Sequence, residues 1–177
     1  AARIPVHSSK NDGRVYREVR YLAGIAHLAR SGLLQLYSSA ELNAEQFRQP
    51  LGRFRGYGYG DFNVFEDVKI ESIDGFHLDI FCPEDTQLRR VASCTDPLFQ
   101  SLLKTLGPKS SLDAYHVFTA EKFGLYAFLH IDFPLAEKMR QNLNRAPVQS
   151  LKTKVLLPSE FAQLIRLLPV DTNLLTL

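Results

Sequence analysis

Pro169-Val170-Asp171-Thr172-Asn173-Leu174-Leu175-Thr176-Leu177 is an apolar run that carries Asp-Thr-Asn into a turn. A buried parallel strand presents an acid beyond its carboxyl end in this way. Such a strand normally opens an α/β domain, yet here it follows the helix that should close one. Joining Leu177 to Ala1 restores strand, acid, loop and long helix in that order. The chain therefore reads as a circularly permuted α/β domain whose first strand stands at the C-terminus. The rearrangement is physically cheap when the original termini lie close together.

Working back from that strand, strands alternate with helices. Val15, Val19, Leu22, Ala26 and Ala29 recur at spacings of four and three, which predicts one amphipathic helix from Gly13 to Ser31, ending at Gly32. Leu33–Tyr37 reads as a short strand, and Ser38/Ser39 cap a helix to about Arg48. Val64–Ile70 and Phe76–Phe81 read as strands joined at Asp74-Gly75, a hairpin signal. Helical pieces around 88–91 and 98–106 stop at Gly107-Pro108, and Ser110/Ser111 cap a helix running from about Leu112 to Phe123. Leu125–Ile131 is apolar enough for a strand buried on both faces, with Asp132 at its end. Pro134 opens a helix, Lys154–Leu157 is a strand, and a helix over 158–168 leads to the strand bearing Asp171. The expectation is a single domain, 1–177, with helices on both faces of a mostly parallel sheet.

Composition sets bounds on function. A net charge of +2 offers no bulk electrostatic case for nucleic acid, so any such role must rest on local charge. The apolar runs fall far short of the roughly 18–20 residues that span a bilayer. Ala1-Ala2-Arg3 does not read as a signal peptide, and Cys82 and Cys94 lack a metal spacing and read as free thiols. Together these predict a cytoplasmic protein with no membrane association.

The chemistry lies in acids placed at element ends. Asp171 and Asp132 follow strands, Asp113 stands at a helix N-terminus, and Glu45 lies in the helix that opens at Ser39. Carboxylates converging at one sheet edge raise each other's pKa unless a cation sits among them. Oxygen ligands of this kind suit Mg²⁺ or Mn²⁺, and water bound to such an ion can attack a phosphodiester. Taken singly, any of these acids also reads as a helix cap or a solvated turn, Asp113 about as readily as a site residue. Glu41 competes with Glu45 for the second place; Ser39, six residues before Glu45, favours the latter.

These residues together resemble the PIN-domain nucleases, a family that includes the ribonuclease toxins of bacterial toxin–antitoxin pairs. The resemblance lies in Asp171-Thr172-Asn173, in Ser39 with Glu45, and in the run Asp113-Ala114-Tyr115-His116-Val117-Phe118-Thr119-Ala120-Glu121. It continues in Phe128-Leu129-His130-Ile131-Asp132 and Val155-Leu156-Leu157-Pro158-Ser159-Glu160, and touches most of the chain outside 50–105. It departs from the family in its permuted order and in Phe133-Pro134, where the family often continues with polar or basic residues. The resemblance implies a three-layer α/β/α, Rossmann-like domain. It also implies an Mg²⁺- or Mn²⁺-dependent endoribonuclease for single-stranded RNA, with Asp171, Glu45, Asp113 and Asp132 as metal-binding catalytic acids. Asn173 or Thr172 would steady Asp171 or a metal-bound water. An antitoxin partner and a homodimer follow from the same likeness.

Other features stay open between two readings. Gly52-Arg53-Phe54-Arg55-Gly56-Tyr57-Gly58-Tyr59-Gly60 interleaves cations and aromatics, as a nucleic-acid clamp or as a surface loop or partner contact. Arg14, Arg17 and Arg20 recur three apart, as a solvated face or an RNA contact. His116 shares a helical face with Asp113 and could orient it, or could be a packed core histidine. His130, between Leu129 and Ile131, reads as structural. Two rival functions remain: a non-catalytic PIN-like module that binds RNA or protein, and a phosphatase using Asp171 as nucleophile. The phosphatase lacks the expected second aspartate and a well-placed lysine.

Overall fold

The computed structural model describes residues 13–48, 62–65, 67–74 and 83–170, together with the strand Arg3–Ile4. In chain order the described elements begin with β1 (Arg3–Ile4), α1 (Arg14–Val19), α2 (Leu22–Arg30), β2 (Leu36–Ser38), α3 (Ala40–Arg48), β3 (Phe62–Asn63) and β4 (Ile70–Ser72). They continue with α4 (Glu84–Ala92), α5 (Pro97–Leu106), α6 (Ser111–Lys122), β5 (Ala127–Leu129), α7 (Phe133–Gln141), β6 (Lys154–Leu156) and α8 (Pro158–Ile165). Helices thus alternate with short strands, in a mixed α/β arrangement. Two strand pairs are parallel, β2 with β4 and β5 with β6, and β1 with β3 is antiparallel. No described helix is long and apolar enough to cross a membrane.

By their internal contacts the residues form two units. The first draws on 1–38, 49–72 and 158–177, the second on 39–48 and 73–157. In the first unit, the single helix expected over 13–31 is broken at Arg20-Tyr21. Neither proline nor glycine sits there. In an unbroken helix the Arg20 carbonyl would accept from Gly24 four residues on. Here it accepts the Val170 N–H at 3.0 Å, and Arg20 Nε returns a bond of 3.3 Å to the Val170 carbonyl. A segment distant in sequence has taken the hydrogen bond that would have continued the helix. Glu18, buried at 8% exposure, accepts from the Ser159 N–H and hydroxyl at 2.8 and 2.9 Å, and so holds the start of α8. Gly24 permits a close approach: a Cβ at that position would lie 2.9 Å from Leu167 Cδ1.

The strand expected from Val64 starts only at Ile70. Val64 and Val68 are instead buried in a turn closed by Val68 N–H to the Phe65 carbonyl at 3.2 Å. β4 pairs in parallel with β2, Leu36 opposite Ile70 and Ser38 opposite Ser72. The second arm of the expected hairpin, 76–81, lies outside the described residues.

The second unit is organised by α6. Residues 116–120 are all buried, so this helix is packed on nearly every side, as a helix without one polar face must be. Phe99, Leu102 and Leu106 of α5, Val91 of α4, and Leu135 and Met139 of α7 pack with Ala114, Val117 and Phe118 of α6. Phe99 meets Tyr115 edge to face at 5.5 Å. After α6 the chain reverses at Gly124, whose φ of 66° lets the Leu125 N–H reach back to the Ala120 carbonyl. β5 then pairs with β6, Ala127 opposite Lys154 and Leu129 opposite Leu156. It is only half-buried, and it is shorter than the strand expected over 125–131 because the backbone leaves extended pairing beyond His130 to enter α7.

Candidate functional site

The acids that the structure brings together all belong to the second unit. Glu45 projects from α3, a helix capped by the Ser39 hydroxyl, which accepts the Leu42 N–H at 3.3 Å. The Ala40 N–H donates to Asp74 Oδ2 at 2.8 Å, adding a carboxylate at the positive end of the same helix. Glu41, the competitor for Glu45, is otherwise engaged. Its carboxylate takes Arg90 Nε and Nη2 at 2.8 and 2.9 Å, and its carbonyl accepts from the fully buried Gln87. Glu45 Oε1 lies 2.8 Å from His116 Nε2. His116 therefore turns to Glu45, not to Asp113 as helical spacing suggested.

Asp113 stands in the first turn of α6, half-buried. Burial pushes its carboxyl above the usual carboxylate range. The negative charge of Asp132 adds to this and that of Glu45 adds less, while a hydrogen bond from Ser110 and the nearby His116 oppose it. Ser110 was expected to cap α6, and it occupies the capping position without making the capping bond. Its hydroxyl is used between two charges, accepting from Lys138 Nζ at 2.8 Å and donating to Asp113. Lys138 also donates to the Leu106 carbonyl at 2.8 Å, which ties α7 to the end of α5.

Asp132 lies beyond β5 and caps α7, Oδ1 accepting the Leu135 N–H at 2.7 Å. Its own N–H donates to His130 Nδ1 at 3.1 Å. The rings of His116, Phe128 and His130 form a column with centroid spacings of 6.0 and 5.9 Å. Asp113 thus feels the charges of both Asp132 and Glu45. Still, no group of three or more His, Cys, Asp or Glu side chains among the described residues is arranged to hold a metal ion. Asp171, Thr172 and Asn173 lie outside the described residues, as do Arg53, Arg55 and Tyr57. Arg14 is exposed at the start of α1. Cys94 is a free thiol.

Several residues of this neighbourhood escaped sequence reading. Arg90, Gln87 and Lys138 act through partners 28 to 49 positions away, and nothing local marks them. Ser110, three residues before Asp113, carries a local signal, but one it shares with an ordinary helix cap. In the first unit a cleft of about 260 Å³ is lined by Arg17, Glu18, Arg20, Tyr21, Ser159 and Pro169. No family model, curated protein or solved structure matches the chain.

Proposed function

We propose that the chain is a metal-dependent endoribonuclease for single-stranded RNA, built on a circularly permuted, three-layer PIN-like domain. One observation carries the reading: the half-buried Asp113 is pushed up first by burial and then by the charge of Asp132, with a smaller push from Glu45. Carboxylates clustered in this way repel one another, and a divalent cation would relieve that repulsion. Asp113, Asp132 and Glu45, which on their own are not arranged to hold a metal, are the acids this reading assigns to Mg²⁺ or Mn²⁺. By the family resemblance alone Asp171 would be the fourth, with Thr172 or Asn173 steadying it. The ion's contribution is to make its water nucleophilic at neutral pH. The protein's own residues supply the rest. Ser110 and Lys138 orient the Asp113 carboxylate, and the cap at Leu135 orients that of Asp132. Arg53, Arg55, Tyr57 and Arg14 are the candidates for holding the RNA strand. A cytoplasmic setting, an antitoxin and a homodimer follow from the family resemblance alone.

A second reading has its own support. Each of the three described acids already accepts a hydrogen bond from the protein, at His116, Ser110 or the Leu135 N–H. A non-catalytic module that binds RNA or protein would satisfy its acids in this way. The two readings separate in one experiment: incubate a generic single-stranded RNA with the chain in Mn²⁺, Mg²⁺ or EDTA, beside Asp113→Asn and Asp171→Asn. Metal-dependent cutting lost in both variants supports the nuclease. RNA bound but uncut under every condition supports the module.

A further inference from the structure

His116 is 6% exposed, deep in the face that α6 turns toward α3 and β5. A histidine at such a depth can be plain filling. Two details argue otherwise. Its Nδ1 is buried with no hydrogen-bond partner, so as filling it is inferior to phenylalanine, which leaves no ring nitrogen unsatisfied. Its Nε2 reaches Glu45 Oε1 at 2.8 Å. A carboxylate accepts, so the tautomer that makes this bond is the one with its proton on Nε2. What the imidazole supplies here is a directed N–H.

The setting makes that N–H rigid. Phe128 lies 6.0 Å from the His116 ring and 5.9 Å from that of His130, the latter nearly parallel at 17°. Phe128 and His130 are two apart along the extended chain, hence on one side of it. At the far end of the column, His130 Nδ1 accepts the Asp132 N–H at 3.1 Å. One end of the column grips the Glu45 carboxylate and the other grips the backbone of Asp132. A glutamate on a helix has several rotatable bonds. A buried ring braced against a strand restricts that freedom through its bond to Oε1.

The geometry points to His116 as a positioning residue that fixes the Glu45 carboxylate through Nε2–H, at a set spacing from Asp132. The assignment rests on the nuclease reading for its effect on rate, but not for the pairing itself. Two measurements test it. The first compares RNA cleavage by the parent, His116→Phe and His116→Gln. His116→Phe fills the space without a donor and should lower kcat about 10- to 100-fold, as loss of a supporting hydrogen bond does, with KM within about twofold. His116→Gln restores an N–H of similar reach and should recover most of the loss. A parental kcat in His116→Phe would overturn the assignment. The second records long-range ¹H–¹⁵N spectra of the histidine rings in metal-free protein. An Nε2-protonated His116 whose ring proton exchanges slowly, and quickly once Glu45→Ala is introduced, supports the pair. An Nδ1-protonated ring, or one indifferent to Glu45→Ala, overturns it. A parent that cuts no RNA sinks the nuclease reading, and the ring spectra then decide the His116–Glu45 pair alone.

Discussion

Asp113 and Glu121 sit at opposite ends of α6 and should answer pH with opposite signs. Burial, then the charges of Asp132 and Glu45, raise Asp113 above its ordinary 3.8. The folded state therefore binds that proton more tightly than the unfolded chain, and stability falls as pH climbs through the raised value. In EDTA, Asp113→Asn should raise the melting temperature at pH 7 by about 2 °C. The gain should vanish below pH 3.8, and paired thermal melts at both pH values check it. For Glu121, burial works upward but is outweighed by the Thr153 and Lys152 backbone N–H groups, so its carboxyl is held down. The stability it supplies is present above its ordinary 4.5 and lost as pH falls. Glu121→Gln should cost about 1 kcal/mol at neutral pH, a discounted figure because solvent reaches the pair. Urea unfolding at pH 7 and pH 3 should show that difference closing. At this scale the sequence is legible where a residue's partner is local. Ser39 marks its helix start because capping spans three residues. The engagement of Glu41 by Arg90 is not legible, because forty-nine positions separate them.

Among the elements, α7 gives the cleanest separation of structure from chemistry. Asp132 caps it, and serine caps nearly as well. Asp132→Ala should lose about 1 kcal/mol, and Asp132→Ser only a few tenths. If the carboxylate is needed for cleavage, both variants should fail to cut RNA. Denaturant midpoints beside an RNA assay check this, and a fully active Asp132→Ser would reduce Asp132 to a cap. In α2, Gly24→Val drives branched methyls into Leu167 and should cost about 1–3 kcal/mol. α6 was legible in extent, since Gly124 ends it and the turn before it is polar. Its burial was not: apolar residues spread around the helix give no stripe from which to read a face. The break between α1 and α2 was equally hidden. The spacing of four and three runs straight through Arg20, and the competing donor is at position 170.

For the whole molecule, the mixed α/β character was legible from alternating patterns, while the pairing of β4 with β2 was not. The hairpin signal at Asp74-Gly75 concerned only neighbours. Stability should likewise divide by unit. Phe99 is fully buried in the core of the second, and Phe99→Ala should cost about 3–5 kcal/mol there. Glu18→Ala should strip hydrogen-exchange protection from α1 and α8 while the amides of α5 and α6 keep theirs; equal loss in both would contradict the division. The Glu18–Ser159 bond spans 141 positions, and that span has a consequence for how the chain is made. A ribosome releases Glu18 early and Ser159 late, at roughly 5–20 residues per second. For several seconds the nascent first unit carries a carboxylate and a helix pair whose mate has not yet been translated. Helices α5 and α6 are translated earlier, but Val148 and Val155 of their core emerge only shortly before Ser159. Whatever attends this protein during its synthesis, chaperone or protease, meets α1 long before the start of α8 exists to take its carboxylate.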